Sequence, residues 1–398
     1  MAWKTKAKDL YITRITPHAS LNVNVAGMAP AIHSITFTPL ELFGAAARCS
    51  HLHPVDPTLV TPESLMIGAL LERHVDDASA DFAILPSADN FKDFIGTYFT
   101  GAVASGIAYL AMIRNGYVWS DHFENIAGGN LDATRTPDFV FAGPTTGVAL
   151  MESKGSRRGT LSAFDRRTSD GYTNQVEPHL GHQMGGIIAT QGYCIGAWLE
   201  SNTRATLRVH HTAATAPPPS SPSSLTGLSI VQRGNYATAF ALSHSQELGS
   251  QIISGDGDRR FPFLRFQWRG RSWLTSYPVG GFSVSPGYFW DAWDKFGRSL
   301  PRSSEFGDRK VGFGFALEEN VAVEALRGFL YTERGEARAL GAEAVLAEGI
   351  GGLDGGEEQV SGAVFPDGLA VLSLPAIVAN VQPVVWDRDR DQLTPASS

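Results

Sequence analysis

Cysteine is nearly missing from this 398-residue chain: two occur, Cys49 and Cys194, far apart. Neither a disulfide framework nor a zinc ribbon can be built from them, which suits a reducing cytoplasm. A basic surplus is missing too. Lysine and arginine total 32 against 40 aspartates and glutamates, a formal net charge of −8. That excludes coating of polyanions through bulk positive charge, so any nucleic-acid contact needs a local basic surface. The basic start, Met1 to Lys8, is not followed by an apolar core of signal-peptide length. The uncharged window Phe94 to Ile113 has the length of a bilayer span, about 20 residues. It holds three glycines, two threonines, a serine and two tyrosines and no dense aliphatic run, so it reads as a buried helix. No Gly-x-Ser-x-Gly elbow, Cys–His nucleophile pattern or ATP-binding loop is present. Gly351 to Gly356 lacks the Lys-Ser/Thr of a phosphate loop and reads as a flexible turn.

What remains is a chain with 43% hydrophobic and 18% charged residues, a globular composition long enough for two or three domains. Residues 1–85 read as an N-terminal extension, with a strand at Ile32 to Phe37 and a helix starting near Pro62. His51 and His53 form a His-x-His pair without further spaced ligands, which is a surface loop more often than a metal site. A stronger helix starts near Asn90, an expected N-cap, and stops at Asn115-Gly116. Three strand-like runs follow, Tyr117 to Phe123, Pro137 to Phe141 and Gly147 to Glu152, the last two joined by the Gly143–Gly147 turn and so antiparallel. Asn174 to Trp198 reads as one or two helical pieces, and Ala205 to His211 as a strand. The order over 86–212 is helix, three strands, helix, strand. Residues 213–226 are a Pro/Ser-rich linker or loop. Residues 227–386 form a C-terminal α+β region rich in arginine and aromatics, and 387–398 a flexible tail.

One segment carries chemistry: Pro137-Asp138 at the head of an apolar strand, and Glu152-Ser153-Lys154 closing the next. Side chains alternate along a strand, so Glu152 and Lys154 share a face. Pairing across the turn brings Asp138 beside Glu152. Two carboxylates at one place resist ionising together unless a cation joins them. Hard oxygen donors with open water positions suit Mg²⁺, with Mn²⁺ as an alternative. The Ser153 carbonyl offers another oxygen ligand. Lys154 beside the cation can orient water or stabilise charge on a phosphate.

These letters resemble the PD-(D/E)xK nuclease superfamily, whose fold is restriction-endonuclease-like. The resemblance covers about a third of the chain. It implies an α/β core with a mixed central sheet flanked by helices, metal held by Asp138 and Glu152, and Lys154 as the catalytic lysine. A further acid of that family falls on the first strand here, as Glu124 in preference to Asp121, whose parity differs. Some members carry a glutamine on the helix after Glu-x-Lys, sometimes as Gln-x-x-x-Tyr. Gln175 fills the first position, but residue 179 is His. Arg157, Arg158, Arg166 and Arg167, in the polar connection after Lys154, lie where a phosphate backbone would pass. The block Arg259 to Trp273 could stack bases, although its alternation fits a core strand better.

The expectation is a cytoplasmic, Mg²⁺-dependent DNA endonuclease, RNA not excluded, serving restriction or anti-phage defence as a homodimer or a subunit of a defence complex. The alternatives are a non-catalytic nucleic-acid-binding or scaffold subunit, and a structural or phage-assembly protein with a chance motif.

Overall fold

The computed structural model describes residues 3, 6–20, 25, 27–50, 57–126, 135–213, 225–257, 260–276, 313–330, 340, 362–373 and 379–396. The chain divides into two units, Met1–His53 with Met66–Asn235, and Pro54–Leu65 with Tyr236–Ser398. His51, His53, the Gly351–Gly356 turn and residues 214–224 of the expected linker lie outside the described residues.

The order to residue 243 begins with β1 (Lys8–His18), β2 (Ser34–Phe37), α1 (Pro39–Cys49), α2 (Pro57–His74) and α3 (Asp93–Arg114). Next come β3 (Trp119–His122), β4 (Phe139–Gly143), β5 (Gly147–Ser156) and α4 (Leu161–Gly171). A small hairpin of β6 (Gln183–Met184) and β7 (Ile187–Ile188) leads to β8 (Gln191–Trp198), β9 (Thr206–Thr212) and α5 (Leu225–Ser243). Seven strands form a mixed sheet in the order β2-β1-β9-β8-β5-β4-β3. The β1–β9 and β5–β8 pairs are parallel and the other pairs antiparallel. The protein is therefore α/β, as expected.

Local chemistry explains the centre of the sheet. Gly147 sits at φ +75°, where a residue without a Cβ turns the chain at no steric cost. That turn pairs β4 with β5 from Gly143↔Gly147 to Phe139↔Met151. α3 stops at Asn115, and Gly116 follows at φ +90°. A Cβ on Gly106 would stand 3.0 Å from the Ala46 backbone nitrogen, so this glycine lets α1 and α3 touch. α3 is long and apolar enough to cross a membrane. In the fold, Val103, Ala104 and Gly106 to Ile113 are buried.

Four expectations change. α3 begins at Asp93 with Lys92 at its cap, because Asn90 closes a 3₁₀ turn, Pro86–Asn90. The second helix is α4, earlier than expected, and Gln191–Trp198 is a strand. All eight residues of that strand are buried; a central strand covered on both faces loses the alternation by which strands are read. Residues 1–85 are more than an extension, since β1 and β2 complete the sheet. The partner of β1 is β9, some two hundred residues away, and such pairing leaves no local mark. The tail forms β16 (Gln392–Pro395), paired with β15 (Ala379–Asp387) by Asp387↔Gln392.

The second unit adds α6 (Gln246–Ser254), β10 (Arg260–Trp268), β11 (Arg271–Ser276), β12 (Phe313–Glu318), α7 (Glu319–Phe329), β13 (Gly362–Val364) and β14 (Leu369–Ser373). With β15 and β16 these strands make an antiparallel sheet, β13-β14-β12-β11-β10-β15-β16. In the arginine/aromatic block, Phe261, Phe263, Phe266, Trp268 and Trp273 are buried. They serve the core rather than base stacking.

Candidate active site

The hairpin register decides which side chains meet. Phe139 is opposite Met151, so one step further Asp138 is opposite Glu152. The β3–β4 pairing continues past Phe139, with Phe123 N donating to the Asp138 carbonyl at 3.1 Å. Asp138 is thus held from both sides. Its Oδ2 accepts from the Ser153 backbone N–H at 2.8 Å and the Ser153 hydroxyl at 2.7 Å. Ser153 Oγ lies 3.0 Å from Ser105 Oγ of α3. Odd residues of β5 therefore face α3, and even ones face α4.

On the α4 face, Glu152 is 2% exposed and its Oε2 accepts from no N–H or O–H donor; its carboxyl stands close enough to Asp138 for the two to share a proton. Lys154 Nζ donates to Glu152 Oε1 and, at 2.9 Å, to Gln175 Oε1. The Gln175 amide donates in turn to the Thr136 carbonyl at 3.0 Å. One glutamine therefore ties the lysine to the segment that carries Asp138. Its position comes from the end of α4. That helix is capped by Thr160, whose hydroxyl accepts from Ala163 N at 3.2 Å. After Gly171 it widens into a π-helical turn, Tyr172–Val176, a departure from α-geometry often found at functional sites. A Cβ on Gly171 would stand 2.9 Å from Cys194 Sγ and 3.1 Å from Lys154 Cε. The missing side chain is what lets the helix end settle on the lysine.

The electrostatics fit a site that wants a cation. Burial, reinforced by the negative charge of Asp138, raises the Glu152 carboxyl to about 8 despite the pull of Lys154. Within a strand the N–H and C=O of one residue point to the same side. The Ser153 N–H is turned to the edge where Asp138 sits, so its carbonyl is turned to that edge as well. The second Glu152 oxygen, the Asp138 carboxylate and this carbonyl make a donor set of hard oxygens that fits a divalent cation such as Mg²⁺ or Mn²⁺.

A cleft of about 350 Å³ opens over Lys154 and Gln175, edged by Arg135, Arg167, Asp170 and Gly171. Arg166 and Arg167 are exposed on α4 rather than in a loop, and Arg167 lies over the Phe164 ring with its Cζ 5.4 Å from the centroid. Arg158 is exposed in a neighbouring groove beside α3.

Two expectations do not hold. Arg157 is turned inward: it pairs with Asp89 at 2.8 Å and is 8% exposed, so it is spent on internal structure. Glu124 is not on the first strand. β3 ends at His122, and Glu124 lies exposed on a 3₁₀ turn, Phe123–Asn125, which breaks the parity that would have aimed it at the site. Asp121 is buried, and its Oδ1 accepts from His122 N and Asn125 Nδ2, both at 2.8 Å. Among the described residues no group of three or more His, Cys, Asp or Glu side chains is placed to hold a metal.

Sequence reasoning missed Ser105 and Arg135. Nothing in the sequence marks Ser105, because it reaches the site only through α3 packing. Arg135 stands two residues before Pro137, and that adjacency was the available signal. Comparisons with protein-family models, curated proteins and solved structures find no match to this chain.

Proposed function

We propose that the chain is a metal-dependent nuclease that hydrolyses phosphodiester bonds, with DNA as the substrate. The observation that carries this reading is a buried carboxylate, Glu152, with one oxygen that no N–H or O–H donor reaches, opposite Asp138 and bonded to the Lys154 ammonium. Left alone, this cluster is costly: burial and the charge of Asp138 oppose the ionisation of Glu152. Such clusters concentrate where chemistry is done.

In this reading Asp138, Glu152 and the Ser153 carbonyl would hold a divalent cation, which when bound would acidify a water and offset charge on the phosphate. Asp138 is kept in place by Ser153, so its second oxygen is presented without rotamer search. Lys154, steadied by Gln175, orients the attacking water and stabilises charge that builds on phosphorus. Arg158, Arg166 and Arg167 offer contacts to the sugar-phosphate backbone. The run α3, β3, β4, β5, α4, β8, with β8 parallel to β5, supports a restriction-endonuclease-like core. A place in restriction or anti-phage defence follows from the resemblance to that superfamily.

The test is plasmid nicking with Mg²⁺ or Mn²⁺ by wild type, Lys154→Ala and Asp138→Ala. Loss of nicking in both variants is the expected result. Equal nicking by all three, or none by wild type, rejects the assignment. Thermal unfolding gives a second readout: Mn²⁺ should raise the Tm of wild type and not that of Asp138→Ala.

A further inference from the structure

Two arginines at the cleft are left over once the catalytic set is accounted for. Among the described residues neither Arg135 nor Arg167 forms an ion pair with a carboxylate, although Asp170 edges the same cleft. Two of the three Lys154 N–H donors are taken by Glu152 and Gln175, which leaves one for the reacting phosphate and none for a neighbouring one. The cleft therefore presents a surplus of positive charge beyond what its own acids neutralise.

Both arginines sit on stiff supports. The main chain below Arg135 is held twice: buried His179 donates from Nε2 to the Arg135 carbonyl at 3.2 Å, and Gln175 donates to the next carbonyl, Thr136, at 3.0 Å. Its side chain is nevertheless exposed. Arg167 lies over Phe164 and donates to the Gly155 carbonyl at 3.5 Å. These two contacts leave the other guanidinium N–H groups of Arg167 facing the cleft, where their planar fork suits phosphate oxygens. Arg135 is further tied to catalysis by sequence, two residues ahead of Pro137.

We infer that Arg135 and Arg167 clamp a backbone phosphate next to the one attacked, so that the substrate is a nucleic-acid strand rather than a lone phosphate ester. This rests on the nuclease reading of Asp138, Glu152 and Lys154. A strand threaded through the cleft would set the scissile phosphate at Lys154, which bonds Glu152, and the adjoining one between the two guanidiniums. Binding energy collected at that neighbouring phosphate then positions the reacting one.

The experiment measures binding of a fluorescent DNA oligonucleotide, single-stranded and duplex, by anisotropy over a salt series. It uses the full chain carrying Asp138→Ala to prevent cleavage. Arg135→Ala and Arg167→Ala should each weaken binding about tenfold and lower the slope of log K against log salt by about one. Arg135→Lys and Arg167→Lys should keep the slope, and thermal unfolding checks that every variant is folded. If Arg135→Ala does not fold, Arg135→Gln replaces it. A methylphosphonate placed beside the scissile position should weaken binding to the parent and leave Arg135→Ala unaffected. Unchanged affinity and slope in both alanine variants overturn the inference. So does an oligonucleotide that binds no more tightly than inorganic phosphate. Failure of the nuclease reading looks different: wild type would cut nothing with Mg²⁺ or Mn²⁺, while binding still depended on the two arginines.

Discussion

Asp138 takes both hydrogen bonds that Ser153 can give: its Oδ2 accepts the backbone N–H at 2.8 Å and the hydroxyl at 2.7 Å. The middle residue of the Glu-x-Lys triplet therefore acts on the opposite strand. Ser153→Ala removes the hydroxyl and leaves the N–H. The expected outcome is a metal requirement shifted upward, about three- to tenfold in the Mg²⁺ concentration at half-maximal cleavage, from loss of one bond to a charged acceptor. Ser105→Ala should act in the same direction and more weakly, because its hydroxyl reaches Asp138 only through Ser153. A Mg²⁺ titration of cleavage rate checks both.

Glu152 makes the apo protein sensitive to alkali. Its carboxyl ionises at about 8 when folded and near 4.5 when unfolded. Between those values the folded chain binds more protons, so this group's contribution to stability falls as pH rises through the window. Without metal, wild type should lose stability relative to Glu152→Gln between pH 4.5 and 8, and no further above it. Urea denaturation of both proteins across that range measures the difference. A flat difference would mean that Glu152 ionises as an ordinary carboxylate.

Gly171 is required by space rather than by backbone angle. Its φ is −60°, which alanine adopts freely, but the added methyl meets Cys194 Sγ and Lys154 Cε at 2.9 and 3.1 Å. Gly171→Ala should cost about 1–3 kcal/mol through overpacking. Cleavage should fall further than stability does, because the group pushed aside is the lysine. Comparing the kcat loss with the Tm shift separates the two effects.

Asp165 joins α4 to the far strands of the sheet. It accepts from Arg14 of β1 at 2.7 Å, and Arg208 and His210 of β9 stand 4.0 and 3.5 Å away. His210 is itself buried, and its Nδ1 lies 2.8 Å from His18 Nε2. Asp165→Ala leaves two cations and a buried imidazole without their acid, and should destabilise the chain by about 2–4 kcal/mol. Asp165→Asn keeps a hydrogen-bonding head and should cost less. Chemical denaturation gives both values.

The strands and the hairpin around the site were legible because their signals are local. Glycine at Gly143 and Gly147 turns the chain, and the short apolar runs on either side set the arms, so counting residues was enough to set Asp138 against Glu152. Reading failed where context overrides pattern. A strand buried on both faces resembles a buried helix, which is how Gln191–Trp198 was misread. Arg157 looks like Arg158 in the sequence, yet one turns in to Asp89 and the other faces water.

The sequence by itself determined the α/β class, the β4–β5 register and the shared face of Glu152 and Lys154, all consequences of nearest-neighbour geometry along a pleated strand. Only the tertiary structure decided that β1 closes on β9, that Ser105 supports Ser153 and Asp138, and that Gln175 spans from Lys154 to Thr136. Those meetings join residues tens to nearly two hundred positions apart. They depend on how helices settle against both faces of the sheet, which no local pattern encodes.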